Sequence, residues 1–303
     1  MTRFLFIVLV GSALAMVTPA GPAVLAKPQD PSGLRVLLVG NSYTRFNLLP
    51  TLVSRIGRSV PEGPAMKVEM VAKGGYTLRM HWQRREAVRR IRQRSFTHVV
   101  LQGHSLRPID EAGEMTQYAE RFVREIGATG ASAILYETWA RRSGASLYGR
   151  RPDLHGPLEM QGVVGDVYRR LATDLGARLA PVGSAFLAAT FLDPEIGLYK
   201  NDGAHPSFAG SYLAASVIYG AVTGLDPRRA TYEPWELGRG HAARLRQLAA
   251  TTLSQAGRTK RPAPEERWPF PVRSDAPWAA VDLELDPIPV PVQFDSGNEA
   301  PPI

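Results

Sequence analysis

Two short segments carry side chains that together can open an ester: Gly40-Asn41-Ser42-Tyr43-Thr44 and, far downstream, Asp202-Gly203-Ala204-His205-Pro206. A serine hydroxyl is a weak nucleophile until a base takes its proton, and an imidazole becomes that base when a carboxylate holds its other nitrogen. Asp202 and His205 can share one turn, so the carboxylate accepts from Nδ1 and leaves Nε2 free to face a hydroxyl. Ser42 follows an apolar run and so stands at the carboxyl end of a predicted strand, where open α/β sheets place ligands. Acyl transfer also needs donors for the negative oxygen of its tetrahedral intermediate. Gly75, in Gly74-Gly75, offers a backbone N–H with no side chain in the way, and Gln102 offers an amide from the end of another predicted strand. Read singly, each segment has a plainer explanation: Ser42 and Gly75 as turn residues, Asp202 as a helix cap with His205 incidental, Gln102 as a satisfied polar end. The remaining histidines, His81, His98, His104, His155 and His241, lack an aspartate three residues before them.

The elements that must position these residues follow from hydrophobic period. Nearly all-apolar runs at Leu34 to Val39, Met66 to Val71, Thr97 to Gln102, Ala133 to Tyr136 and Arg178 to Val182 read as strands covered on both faces. Helical period occupies Leu48 to Val60, Leu78 to Arg94, Met115 to Ala128, Glu159 to Leu175, Phe208 to Val222 and Trp235 to Gln255. Alternation of the two predicts an α/β domain around a five-stranded parallel sheet, with Ser42, Gly75 and Gln102 at three successive strand ends.

Composition bounds the chemistry. The chain has 303 residues, 44% hydrophobic and 21% charged, which suits a packed globular domain and excludes collagen-like or wholly disordered chains. With Cys 0, disulfides, thiolate nucleophiles and Cys-ligated metals are excluded, leaving hydroxyl, imidazole, carboxylate and amide groups. The net charge is +8, but both signs are interspersed, so attraction to anions is expected to be local. Arg3 followed by an apolar run from Phe4 to Met16 and the exit Val24-Leu25-Ala26 reads as a signal peptide, residues 1–26, rather than a membrane span. Secretion or a periplasmic location after cleavage near Ala26 is expected. At the other end, 258–303 form a Pro-rich extension expected to lie extended, either as a belt on the domain or as a tail.

Taken in order, Gly40-Asn41-Ser42-Tyr43-Thr44, Gly74-Gly75-Tyr76-Thr77-Leu78 with His81-Trp82, Val99-Val100-Leu101-Gln102 and Asp202-Gly203-Ala204-His205-Pro206-Ser207 resemble the blocks of the SGNH (GDSL-like) hydrolase superfamily. Tyr136-Glu137-Thr138-Trp139-Ala140 and Pro181-Val182-Gly183-Ser184-Ala185 are similar to a branch whose first block reads Gly-Asn-Ser and whose third ends in Gln. The resemblance spans 33–257. It implies a flavodoxin-like three-layer α/β/α sandwich and a serine esterase without a metal or other cofactor. It also implies Ser42 as nucleophile, His205 as base, Asp202 as its orienting acid, and the N–H groups of Ser42 and Gly75 as oxyanion donors. Gln102 stands where many members carry Asn, one methylene longer.

The function expected from this is an exported esterase cleaving small acyl esters, acetyl by resemblance, on carbohydrate through an acyl-enzyme. An O-acyltransferase acting on an envelope polysaccharide and a non-catalytic glycan-binding protein are the alternatives. The expected partner is an acylated small molecule or polysaccharide, with no nucleic acid and no stable membrane span. Between Ala140 and Pro157 a loop after the fourth strand is expected to shape the substrate site, with Arg141 and Tyr148, beside His104, as substrate contacts. The run Arg84, Arg85, Arg89, Arg90, Arg92 and Arg94 reads as one helix whose apolar side is Val88 and Ile91. It is either a solvated face or a patch for acidic polysaccharide or anionic lipid.

Overall fold

Leu, Val and Ile at successive positions leave a strand no polar face, and such a strand is stable only between two helical layers. The computed structural model describes residues 33–93 and 95–258; the expected leader and the Pro-rich segment after 258 lie outside the described residues. Its strands are β1 (Leu34–Gly40), β2 (Met66–Ala72), β3 (His98–Gln102), β4 (Ser132–Tyr136) and β5 (Arg178–Ala180). They form a five-stranded sheet in the order β2-β1-β3-β4-β5, every pairing parallel. The helices are α1 (Ser42–Arg45), α2 (Leu49–Arg58), α3 (Leu78–Arg84), α4 (Glu86–Arg92), α5 (Arg107–Asp110), α6 (Ala112–Ala128), α7 (Ser146–Arg150), α8 (Pro157–Asp174), α9 (Val182–Leu192), α10 (Phe208–Thr223) and α11 (Arg239–Arg258).

Alternation along β1 sorts the core into two layers. Val36 and Leu38 pack with Leu52, Val53 and Ile56 of α2 and with Leu213 and Val217 of α10. Leu37 and Val39 face the other way, onto Val88 and Ile91 of α4, Phe122 of α6 and Leu171 of α8. Each such side chain contributes about 1.5–3 kcal/mol when fully buried. The result is the three-layer α/β/α sandwich expected from the sequence. Strand order reverses direction between β1 and β3, and at this switch point their carboxyl ends open a crevice. Register brings those ends level, with Gly40 beside Ala72, Val39 beside Leu101 and Gln102 beside Tyr136.

Several elements differ from expectation. The predicted helix Leu78 to Arg94 breaks at Arg85, whose φ of 62° is left-handed, into α3 and α4. The guanidinium of Arg85 lies 5.1 Å from the Trp82 ring, a local contact that hydrophobic periodicity does not report. The last strand ends at Ala180, because Pro181 caps α9 and Val182 is its first residue. Helix α9 is apolar on most of its circumference, so it shows little helical period in the sequence. Helix α11 begins after Trp235, which is 88% exposed.

Candidate active site

The Ser42 turn is built by its neighbours. Asn41 caps α1: its Oδ1 accepts the Tyr43 N–H at 3.0 Å and its carbonyl accepts from Thr44 and Arg45, each at 3.1 Å. Ser42, first in α1, has an N–H for which a helix supplies no carbonyl. A Cβ at Gly40 would overlap Thr44 Oγ1 and Gln102 Oε1, so only glycine lets β3 come this close. Buried His81 holds the strand end from behind: its Nε2–H donates to the Gly40 carbonyl at 2.7 Å, and burial lowers its pKa, favouring the neutral ring.

Asp202 and His205 ride on a small hairpin. Its arms are joined by Lys200 N–H to His205 carbonyl at 2.8 Å and Ser207 N–H to Leu198 carbonyl at 2.9 Å. Gly203, with φ +62°, takes the left-handed position that reverses the chain. The loop after β4 pins the tip, with Arg142 N–H donating to the Gly203 carbonyl and Trp139 Nε1–H to the Ala204 carbonyl, both at 2.9 Å.

So positioned, the three groups form a chain of hydrogen bonds. Asp202 Oδ2 lies 2.5 Å from His205 Nδ1, and His205 Nε2 lies 2.9 Å from Ser42 Oγ. A carboxylate only accepts, so Nδ1 carries the proton and Nε2 accepts from the serine hydroxyl. Partial burial pushes the Asp202 carboxyl upward, but hydrogen bonds from the His205 ring and from the N–H groups of Ala204 and His205 outweigh it and hold the pKa at about 2. Aromatic rings fix the imidazole: Tyr43 meets it edge-on at 5.6 Å and Phe46 tilts against it at 4.7 Å. Tyr43 in turn stacks on fully buried Trp139 at 4.2 Å, and Trp139 on Phe186 at 4.1 Å.

A buried polar cluster supports the Trp139 loop. Gln161 donates to Glu137 Oε1 at 2.5 Å and accepts the Ala140 N–H at 2.8 Å, while Ser184 donates to Glu137 at 2.9 Å. Full burial raises the Glu137 pKa, and Oε2 has no partner among the described residues, which favours the protonated acid.

Gly75 follows β2 in the Gly74-Gly75 turn. It is exposed, with φ +72°, in a turn closed by Tyr76 N–H to the Lys73 carbonyl at 3.1 Å. Asn41 Nδ2 reaches the Tyr76 carbonyl at 3.5 Å, tying this turn to that of Ser42. The expectation for Gln102 needs correction. The side chain is 1% exposed, its Oε1 accepts from Asn41 N–H and Thr44 Oγ1 at 2.9 Å each, and its amide donates to the Gly103 carbonyl. The extra methylene lets the amide fold back on the Ser42 turn, so Gln102 braces that turn instead of facing the crevice. Replacing it by Ala strands the Asn41 N–H, and we expect a loss of about 1–3 kcal/mol in a urea unfolding titration.

Arg141 and Tyr148 also brace. The Arg141 guanidinium donates to Tyr43 Oη and to Ser105 Oγ, the latter at 3.1 Å, and Tyr148 Oη donates to the Arg141 carbonyl at 2.7 Å. Both side chains are half-buried, and these bonds tie their polar ends to the loop and to the Ser42 turn. His104 follows β3, half-buried; burial first, then Arg107 and Arg141, lower its pKa, and its ring contacts the Leu106 N–H at 3.5 Å.

Sequence reasoning missed Asn47. Its Nδ2 donates to the Ser207 carbonyl at 2.9 Å and to Ser211 Oγ at 2.8 Å, clamping the chain just after His205 to the turn just after Ser42. Asn47 and Leu48 both have left-handed φ, 53° and 51°, a conformation rare for leucine. Asparagine tolerates that region and is the only hint the sequence holds.

No family model matches the chain, and no curated protein matches it. Among solved structures, a protein from Slackia heliotrinireducens named as a candidate SGNH hydrolase is 27% identical, the match covering 63% of this chain and 99% of that one, with a TM-score of 0.55. A DUF4886 family protein from Bacteroides uniformis matches at 18% identity over 73% of this chain and 95% of that one, TM-score 0.61. A variant of an acetyl-xylooligosaccharide esterase from Geobacillus matches at 18% identity over 64% of this chain and 96% of that one, TM-score 0.51. The structural neighbours are SGNH and GDSL-like hydrolases, and the chain has their fold.

Proposed function

We propose that this chain is a serine ester hydrolase of the SGNH type, exported after cleavage near Ala26, that removes small acyl groups, acetyl foremost, from carbohydrate. The observation that carries the reading is the continuous hydrogen-bonded path from Asp202 through His205 to Ser42 Oγ. The carbohydrate and the acetyl group rest on the sequence resemblance, and one structural neighbour of the same fold is itself named for acetyl-xylooligosaccharides.

The chemistry follows from the path. As Ser42 Oγ bonds to the ester carbonyl carbon, its proton passes to His205 Nε2, and Asp202 stabilises the imidazolium that forms. The carbonyl oxygen becomes an anion facing the N–H groups of Ser42 and Gly75. Collapse breaks the carbon–oxygen bond to the sugar, whose oxygen leaves with the proton from Nε2, and an acyl-serine remains. Water then repeats the two steps, releasing the acid and restoring the hydroxyl.

The test combines acetate release from a panel of acetylated polysaccharides and short aryl esters with intact-mass analysis after a serine-reactive phosphonate. Acetate release, together with one adduct mapped to Ser42, is the expected result; no adduct and no released acid sinks the reading. Asn47 should matter here as a positioning residue. Asn47→Gly keeps the left-handed backbone but loses the clamp, so kcat for an aryl acetate should fall about 10- to 100-fold with KM nearly unchanged, measured in steady state.

A further inference from the structure

Beside the Ser42 turn, on the side of the edge strand β2, lies an open cleft of about 530 Å³. Arg45, Lys73, Arg84 and Arg89 line it, and the one carboxylate among its lining residues is Glu86, so four positive charges face one negative. None of the four is in an ion pair among the described residues. The neighbouring arginines behave otherwise: Arg90 pairs with Glu69, Arg92 with Glu125 at 2.6 Å and Arg79 with Glu114 at 2.8 Å. Like charges on a concave wall repel one another and focus a field that attracts anions.

The chain is bent to make this wall. In an unbroken helix Arg84 and Arg89, five residues apart, would point about 140° away from each other. The left-handed Arg85 between them interrupts the helix, and both then line the same cleft. Arg85 is held in that conformation by the Trp82 ring, itself packed edge-on against Phe122 at 5.4 Å. A left-handed arginine is rare, and strain of this kind is retained where it serves a site. Two residues join the cleft to the Ser42 region. Arg45 lies one turn after Ser42 in α1, with Cβ atoms about 5–6 Å apart at that spacing, and Tyr76 adjoins Gly75. The Lys73 ammonium sits 5.2 Å from the Tyr76 ring, which keeps it at the same wall.

We propose that this cleft is an anion subsite that receives a carboxylate or phosphate carried by the acylated glycan, so that the substrate is an acidic carbohydrate rather than a neutral one. The proposal rests on the esterase reading for the ester itself, but the anion subsite can be measured without turnover. Calorimetric titration of Ser42→Ala protein with trigalacturonate, with neutral trigalactose and with a galactose phosphate compares the ligands directly. One or both charged ligands should bind about tenfold or more tighter than the neutral sugar, and the stronger of the two identifies the anion. The preference should shrink as salt rises from about 50 to 500 mM and should vanish in Arg84→Gln/Arg89→Gln, whose exposed positions tolerate substitution. Equal affinity for charged and neutral sugars, or a preference that survives in the double variant, overturns the proposal. In turnover by Ser42-intact protein, the ratio of kcat/KM for an acetylated galacturonate over acetylated galactose should fall about tenfold in the double variant. Failure of every ester to react, with anion binding intact, would instead sink the esterase reading and leave the subsite standing.

Discussion

Ser42→Ala should lower kcat for an activated acetyl ester by about 10⁴- to 10⁶-fold. The Ser42 side chain contacts the His205 ring through Oγ, while the turn around it is held by the Tyr43 N–H on Asn41 Oδ1 and the Asn41 N–H on Gln102 Oε1, so the hydroxyl can be removed without moving the turn. Thermal melting and circular dichroism of the variant should therefore match those of the parent. His205→Ala should fall in the same range, and the double variant should be little slower than either single one, because nucleophile and base act as a unit. On the proposed mechanism, what activity remains would report the N–H groups of Ser42 and Gly75, which survive both changes. Turnover of Ser42→Ala within tenfold of the parent would remove Ser42 from the mechanism.

Asp202→Asn should cost about 10³- to 10⁴-fold in kcat while leaving the hairpin in place. Asp202 Oδ1 accepts the N–H groups of Ala204 and His205, and an amide oxygen can keep both of those bonds. The amide nitrogen then faces Nδ1, where it can only donate. The proton moves to Nε2, and the imidazole can no longer accept from Ser42. Comparing Asp202→Asn with Asp202→Ala in steady-state kinetics checks this, since the wrong tautomer should hurt nearly as much as the missing side chain. Stability has its own pH dependence. The folded carboxyl titrates at about 2, below its ordinary 3.8, so Asp202 stabilises the fold above the ordinary carboxylate range and loses that contribution as pH falls toward 2. The contribution is small because Asp202 is 49% exposed and solvent screens it. Urea midpoints of parent and Asp202→Asn should accordingly converge in acid.

How far the site is legible depends on what kind of interaction holds each residue. Ser42, Asp202, His205 and Gly75 are readable because local rules act on them: a strand end, a three-residue spacing, a glycine in a turn. Gln102 is readable as a residue of this region but not in its task, because one methylene decides whether the amide faces the crevice or folds back onto Asn41 N–H. Asn47 and Trp139 hold the two halves of the site together through partners 159 and more residues away in one case and 65 in the other. No periodicity reports such contacts. The break at Arg85 is hidden for a different reason: a ring from the preceding turn meets the guanidinium, and no glycine or proline announces the interruption.

The residue types along the chain by themselves determined the layers, the parallel sheet and the chemical identity of the candidate site. Burial of two strand faces and the proton chemistry of hydroxyl, imidazole and carboxylate depend only on which groups are present and how they alternate. Tertiary structure alone decided which way Gln102, Arg141 and Tyr148 point, that Asn47 clamps the His205 hairpin, and that Arg84 and Arg89 share a cleft. Direction and convergence are set by packing among distant segments, and that information exists only once the chain has closed on itself.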